Sequence, residues 1–306
     1  MENVYDVVIV GGGPGGCAAG LYCARAGRSV LLLERQAPGG QMAATGQIEN
    51  YPGYPEGIDG FALGQKMAEG VTRAGGEIRY GEIKAVDLSA QPKRLETSAG
   101  PLYARTVILA TGAYPRTLGL PEEESLRGRG VGYCAVCDGG FYRGKTVVVV
   151  GGGNSALSDA IYLSKLCRKV YLVHRRGEFT AARVYQRALD AAGVEVVWNH
   201  RVTAIRHDNT VTGVEVTDVL TGEKRELSCE GVFVAIGREP DTALFRGQVA
   251  LDERGYIAAD ETTRTSVPGV FAVGDVRSKP MRQIVTAVAD GAVASHYVEK
   301  YLLEQE

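Results

Sequence analysis

The chain is poor in the features that define several protein classes. It has 11 prolines among 306 residues, which does not support a collagen-like or disordered chain. Neither charge is in excess: Lys and Arg number 34, Asp and Glu 36, for a formal net charge of -2. Without a global basic field nothing draws in nucleic acid or anionic lipid, so any phosphate must be recognised locally. The uncharged stretch 7–24 is broken by repeated glycines and Pro14, and does not read as a membrane span. No basic leader precedes the strand-like run 4–10, which argues against secretion and makes the cytoplasm the expected compartment. Six cysteines, Cys17, Cys23, Cys134, Cys137, Cys167 and Cys229, are no disulfide framework for a chain of this size.

Glycine is what the chain has in excess, with 41 residues, roughly 13% against an average near 7%. At about 150 residues per domain the length fits two domains, and glycine falls as punctuation within them. The apolar run 5–10 leads into Gly11-Gly12-Gly13-Pro14-Gly15-Gly16 and a small-residue helix at 17–26; a second strand, 29–33, ends at Glu34. This is a βαβ unit with G-x-G-x-x-G at its turn and an acid 23 residues after the first glycine, the pattern that seats a pyrophosphate on a helix N-terminus. The pattern recurs 140 residues later: a strand at 146–150, then Gly151-Gly152-Gly153-Asn154-Ser155-Ala156, a helix through Leu166 and a strand at 169–173. The same offset carries Glu34 onto His174. The expected fold class is α/β with two Rossmann-like dinucleotide-binding domains.

Strands at 107–112 and 232–237 each close a unit with a small residue and a glycine, Gly112 and Gly237, and Pro115 and Pro240 come shortly after. The chain turns there and can change domain. The tail after Asp241 holds strands around 256–258 and 270–273, then Gly274-Asp275, then an apolar helix at 283–303; it is too short for a third domain. The second domain, residues 116–241, is therefore expected to be inserted into the first, residues 1–115 and 242–306. Gly274-Asp275 would then meet the first domain's ligand at the carboxyl edge of a parallel sheet.

The residues at the end of the second strand in each unit separate the ligands. Glu34 accepts from ribose hydroxyls and would repel a 2′-phosphate, whereas His174-Arg175-Arg176 offers donors and positive charge, which suits NADP(H). In isolation such a basic run is a solvated surface; its place at the tip of the second strand gives it meaning. One pyridine nucleotide beside a different dinucleotide, with cysteines near, points to FAD in the first domain. The pair in Cys134-Ala135-Val136-Cys137-Asp138 reads in three ways: a redox disulfide, half a zinc site, or two buried thiols. Zinc needs two further ligands, and there is no second C-x-x-C and no partner spacing among His174, His200, His207 and His296. A redox pair closes a small ring and lowers the pKa of one thiol. Asp138 could then move the proton that thiolates require, although without the cysteines it would read as a turn residue before Gly139. The other cysteines read as structural.

Together these motifs resemble the low-molecular-weight thioredoxin reductases of bacteria, in the pyridine nucleotide-disulfide oxidoreductase superfamily. The resemblance runs nearly end to end, through the two glycine turns, Gly39-Gly40-Gln41, Glu49-Asn50-Tyr51-Pro52-Gly53, Ala110-Thr111-Gly112-Ala113, the cysteine motif, His174-Arg175-Arg176, Gly274-Asp275-Val276 and Arg282-Gln283. A disulfide lying between the two glycine motifs is its specific part. The resemblance implies FAD held by Gly11, Gly13, Pro14, Gly15, Gly16, Glu34, Arg35, Gly40, Gln41, Asn50, Gly112, Asp275, Arg282, Gln283 and Ile284. It implies NADPH on Gly151, Gly153, Asn154, Ser155, Ala156, His174, Arg175, Arg176, Arg183, Ile236 and Gly237, with no metal. By the same analogy Cys134 attacks the partner's disulfide, Cys137 faces the flavin and Asp138 is the acid-base group. Phe141-Tyr142 matches an aromatic pair that helps to dock thioredoxin, with simple packing as the equal alternative. Two departures stand out. Phe179-Thr180 lies where many relatives carry an Arg after the Phe, so Arg183 is the expected substitute and the preference for NADPH over NADH is expected to be weaker. Ala135-Val136 replaces the commoner Ala-Thr, with a small expected effect on redox poise.

The expected reaction passes electrons from NADPH to FAD, to the Cys134–Cys137 disulfide, and to thioredoxin, and the resemblance implies a homodimer. Because the disulfide and the NADPH motif share one domain and FAD belongs to the other, they must take turns, which predicts rotation about the segments 113–116 and 238–242. Three competitors remain: an FAD-dependent dithiol oxidase using oxygen, a non-catalytic redox sensor, and a reductase of another thioredoxin-like protein. The second glycine turn and its arginines argue against the oxidase, and the C-x-x-C with Asp138 against the sensor.

Overall fold

β-Branched residues dominate the first strand, Val4–Val10, and its Val7, Val8 and Ile9 are fully buried. A strand apolar at consecutive positions needs cover on both faces, the condition of a parallel sheet between two layers. This strand pairs in parallel with Val30–Glu34 on one side and Gly100–Leu109 on the other, and Glu77–Tyr80 extends the sheet beyond Val30–Glu34. Gly100–Leu109 is long enough to be shared. Its first half pairs antiparallel with Lys93–Thr97, which pairs with Ile83–Asp87, and its second half pairs in parallel with Val270–Ala272. In this computed structural model, which describes residues 4–306, the seven strands form one sheet.

Alternate side chains of each strand leave by opposite faces. Val7, Ile9 and Leu32 pack under the helices Pro14–Arg25, Gly60–Arg73 and Ile284–Leu303 with Val71 and Val298. Val8, Leu31 and Leu109 pack on the other side with Phe245 and Ile257. Each such burial contributes about 1.5–3 kcal/mol. The segment around 256–258, expected as a strand, makes only single bridges, Ile257 to Leu251 and to Arg277. Tyr256 and Ile257 are buried, as their apolar character requires, while Ala258 is exposed, and each neighbour pairs with the segment at a single bridge and not along a ladder. The first helix starts at Pro14, three residues earlier than expected, because proline fits the first helical position.

The second unit repeats the plan. Thr146–Val150, with Val147, Val148 and Val149 fully buried, is flanked in parallel by Lys169–His174 and Gly231–Val234, and these by Glu195–Trp198 and Val131–Gly132. The helices Asn154–Ser164 and Arg183–Asp190 contribute to the core on one face. A three-stranded antiparallel sheet, His200–His207, Val211–Asp218 and Lys224–Ser228, covers the other. That sheet was not anticipated: its strands carry charged, solvent-facing residues at so many positions that the apolar alternation is diluted.

The structure divides into a unit up to Tyr114 together with Glu239–Glu306, and a unit Pro115–Arg238. These limits lie one and three residues ahead of those expected. The two connections pair as a short two-stranded sheet, Ala113–Pro115 with Arg238–Pro240. Bonds from Arg116 N to Gly237 O and from Asp241 N to Gly112 O, both 3.0 Å, flank it.

Candidate active site

In the first unit the sheet delivers Gly11 at the end of its central strand. Gly11 has φ 105°, and a Cβ there would lie 2.5 Å from Ala110 O; one on Gly16 would lie 1.9 Å from Gly11 O. These two glycines let strand and helix approach each other. A Cβ on Gly13 would meet nothing within 4 Å, so Gly13 borders open space at the start of Pro14–Arg25. No side chain caps that helix and its first turn holds no acid, which leaves its free N–H groups to an outside anion. The cradle therefore fits a pyrophosphate.

The other residues expected around FAD gather at this edge. Glu34 Oε2 accepts from Gly12 N at 2.7 Å and Oε1 from Gln36 N at 2.8 Å, which fixes a carboxylate beside the turn. Gly39 N donates to Gly12 O at 2.8 Å, and a Cβ on Gly40 would be 3.5 Å from Gly13 Cα. Gln41 donates its side-chain amide to Ala113 O, and Arg35 donates to the Tyr114 hydroxyl at 3.1 Å. Gly112 has φ 78°. A Cβ on Gly15 would be 3.5 Å from Gly274 N, placing the turn Gly274–Val276, with Asp275, against the glycine motif. Arg282 lies 4.0 Å from the Tyr256 ring centroid. Gln283 caps Ile284–Leu303 and accepts from Asn50 Nδ2 at 3.2 Å.

In the second unit Gly151, at φ 150°, approaches Ala235 O so closely that a Cβ would lie 2.4 Å away, and also 2.7 Å from Ala156 Cβ. Gly153 borders open space, with only Thr180 Oγ1 at 3.8 Å. Thr180 N and Oγ1 both donate to Gly152 O, at 3.0 and 3.2 Å, and Asn154 Oδ1 accepts from Ala182 N at 2.8 Å. Ser155 is exposed and Ala156 buried; Ile236 is exposed and Gly237 has φ 111°. This turn fits a second pyrophosphate.

The three residues read as a 2′-phosphate site do not behave alike. Arg175 and Arg176 are exposed, as is Arg183 at the start of its helix. His174 is buried: a Cβ on Gly152 would fall 2.1 Å from its ring, its Nε2 is 2.9 Å from Glu178 O, and it packs near Phe179 and Trp198. Burial lowers its pKa, so Nε2 is read as the N–H that donates to that carbonyl. The His174 ring is thus the pin between the glycine turn and the loop that carries Arg175 and Arg176.

Cys134 and Cys137 form a disulfide. The short helix Ala135–Asp138 sets their spacing, with Cys137 N pointing to Cys134 O and Sγ, both at 3.2 Å. Ala135 anchors the motif in the core, while Val136 and Phe141 are exposed at 45% and 43%. Tyr142 packs edge-on against Phe233 at 5.1 Å. Gly139 has no room for a side chain, since a Cβ would meet Tyr162 and Leu163 at 2.9 and 3.0 Å. Burial pushes the Asp138 carboxyl up to about 6, against the opposing charge of Arg127. Such a group exchanges protons near neutral pH. Burial instead pushes the Cys17, Cys23 and Cys229 thiols up to about 12, and Cys167 to about 11, so these hold almost no thiolate at pH 7.

The same unit holds polar groups that the sequence did not flag. Tyr133 donates to Glu123 Oε1 at 2.7 Å, Glu123 also accepts from Leu118 N and Gly119 N at 2.9 and 3.0 Å, and the Arg127 guanidinium lies 5.4 Å from the Tyr133 ring centroid. Asp159, on the helix after the second turn, is pushed by burial up to about 6. A tyrosine directly before Cys134 was the one available signal; the burial of Glu123 and Asp159 had none.

Two nucleotide cradles and a redox disulfide define a dinucleotide-dependent disulfide oxidoreductase. The chain belongs to the pyridine nucleotide-disulphide oxidoreductase family, whose model matches residues 5–291. It is 44% identical over 305 residues to the thioredoxin reductase of Bacillus subtilis, covering 99% of this chain and 96% of that one. The thioredoxin reductase of Mycolicibacterium smegmatis is 43% identical over 307 residues, covering 100% and 99%. The crystal structure of the thioredoxin reductase of Streptococcus pyogenes superposes with a TM-score of 0.92 at 43% identity, covering 99% of this chain and 100% of that chain.

Proposed function

We propose that this chain is an NADPH-dependent thioredoxin reductase in which the unit with Glu34 binds FAD and the unit with Arg175 and Arg176 binds NADPH. When bound, the two cofactors supply the reducing equivalents, a hydride from NADPH and an electron pair through FAD, that open the Cys134–Cys137 disulfide. The protein's own residues do the rest. The open Gly13 and Gly153 edges receive the pyrophosphates, the Glu34 carboxylate receives ribose hydroxyls, and Arg175, Arg176 and Arg183 receive the 2′-phosphate.

Opening the disulfide takes two electrons and two protons and leaves two thiols. The Cys134 thiolate then attacks a sulfur of oxidised thioredoxin, forming a mixed disulfide as one thioredoxin thiolate leaves. Cys137 attacks Cys134 Sγ, which re-forms the 134–137 bond and releases the second thiolate. Asp138 supplies protons to the leaving thiolates and takes them from the attacking thiols. Exposed Val136 and Phe141 beside the pair offer the partner an apolar foothold. Since FAD and the disulfide belong to different units, turnover uses rotation about the paired segments 113–115 and 238–240.

No helix among the described residues is long and apolar enough to cross a membrane. Four unpaired cysteines support a reducing, cytoplasmic setting. Exposed Val285, Val293 and Leu303 on the last helix support a homodimer.

The observation that carries this reading is the Cys134–Cys137 disulfide with the raised acid Asp138 directly after it, in the same unit as the second glycine turn. The purified protein is expected to be yellow and to oxidise NADPH only when oxidised thioredoxin is present, with Cys134→Ser abolishing that flux. Oxygen-dependent dithiol oxidation without NADPH would instead make it an oxidase. A covalent cross-link between the two units is expected to stop the flux, and undiminished turnover would discard the rotation.

A further inference from the structure

Beneath residues 274–283 lies a dense cluster of buried charge. The FAD reading needs this segment, yet its regular structure is limited to the turn Gly274–Val276 and one backbone bridge from Ile257 at Arg277, so side chains set much of its shape. Asp290, 6% exposed on Ile284–Leu303, accepts four bonds. Its Oδ2 takes Gly274 N at 2.8 Å, Arg277 Nε at 3.0 Å and Lys279 Nζ at 2.7 Å, and its Oδ1 takes Arg277 Nη2 at 2.8 Å. Arg277, 4% exposed, also reaches Ala259 O and Asp260 O at 3.4 and 3.3 Å. Lys279 donates to Thr286 O at 3.2 Å, and Arg282 Nε to Asp275 O at 3.4 Å. The cluster thus ties residues 274–282 to the last helix, and the same turn abuts Gly15 of the first glycine motif.

Two cations and one anion are an expensive way to fill a core, because apolar residues of similar volume often stabilise as well or better. Their directional bonds offer what apolar packing lacks, a defined backbone course through a segment with no ladder of its own. We propose that Asp290, with Arg277 and Lys279, is the positioning set that shapes residues 274–282 for FAD, so that cofactor affinity depends on the Asp290 carboxylate beyond its effect on stability. This inference rests on the reading of the first turn as the FAD site.

The test titrates FAD into the full-length apoprotein by flavin-fluorescence quenching and records thermal unfolding of the same apoprotein. Asp290→Asn keeps the shape, removes the counter-charge, and is expected to weaken FAD binding by about tenfold or more. The triple variant Arg277→Met/Asp290→Leu/Lys279→Met removes the buried charges together. It is expected to regain the wild-type unfolding midpoint to within about 4 °C while FAD stays about tenfold weaker, because Gly274 N has lost its acceptor. Binding of 2′,5′-ADP to the second unit is expected to be unchanged in both variants. FAD affinity within about twofold of wild type in Asp290→Asn, or recovery of both midpoint and affinity in the triple variant, overturns the proposal. Should Asp290→Asn not fold, the triple variant decides, and its own failure to fold counts against the proposal. Wild-type apoprotein that binds no FAD overturns the functional reading itself.

Discussion

The two glycine turns are built alike and dressed differently. In both, the glycine after the strand is forced by a backbone carbonyl, Ala110 O for Gly11 and Ala235 O for Gly151, while the third glycine borders open space. The residue at the tip of the second strand then diverges. Glu34 returns its carboxylate to the turn through Gly12 N, whereas His174 is buried against Gly152 and leaves Arg175 and Arg176 exposed. Close packing of strand and helix thus fixes the cradle, and a few residues at a strand end choose the nucleotide.

The largest expected break in that comparison removes chemistry that only the second unit has. Asp138→Asn should leave FAD bound and lower thioredoxin turnover by about 10²–10⁴-fold. Because the acid form of Asp138 is lost as pH rises through about 6, wild-type proton delivery should fall above that pH, and the variant's profile should lose this limb. Stability moves in the same direction with pH. A carboxyl raised from 3.8 to about 6 makes wild type lose stability between those values as pH rises. The variant should therefore unfold with up to about 3 kcal/mol more resistance at pH 7 and no advantage below pH 4, by denaturant titration.

Next in size, Arg175→Ala/Arg176→Ala should lower kcat/KM for NADPH by about 10²-fold and leave that for NADH almost unchanged. Equal losses with both nucleotides would erase the proposed difference between the turns. Gly16→Ala forces a Cβ to within 1.9 Å of Gly11 O and should cost about 1–3 kcal/mol or more in apoprotein stability. Gly13→Ala, with open space around it, should cost less than about 0.5 kcal/mol while weakening FAD binding. The smallest effect is expected from His174→Gln, a few-fold rise in KM for NADPH through a looser arginine loop. A loss as large as that of the arginine pair would make His174 a direct ligand.

Much of this was legible in the sequence because its causes are local. The strand-to-helix turns announce themselves through glycines whose spacing comes from the close approach of backbone to backbone, and Pro14 lies at a helix start that suits it. The cysteine pair, three residues apart, is closed by one short helix. The burial of His174 was not legible, because it depends on Phe179 and Trp198, the latter on the next strand. The 256–258 segment was misjudged because apolar character reports burial and not pairing. Asp290 could have been suspected as an acid on the buried face it shares with Ala287, Gly291 and Ala294. Its partners Gly274, Arg277 and Lys279 could not.

By itself, then, the sequence determined the two cradles, the disulfide between them and the contrast of acid and base after each turn, since each arises from residue type and spacing within a few tens of residues. Only the tertiary structure decided which of these groups are buried and what they touch. The last helix reaches back to clamp Gly274, Val270–Ala272 joins the end of Gly100–Leu109, and Asp138 is raised by its surroundings. Burial and hydrogen-bond partnership depend on segments that folding brings together, and it is they that set a charge's strength and a loop's shape.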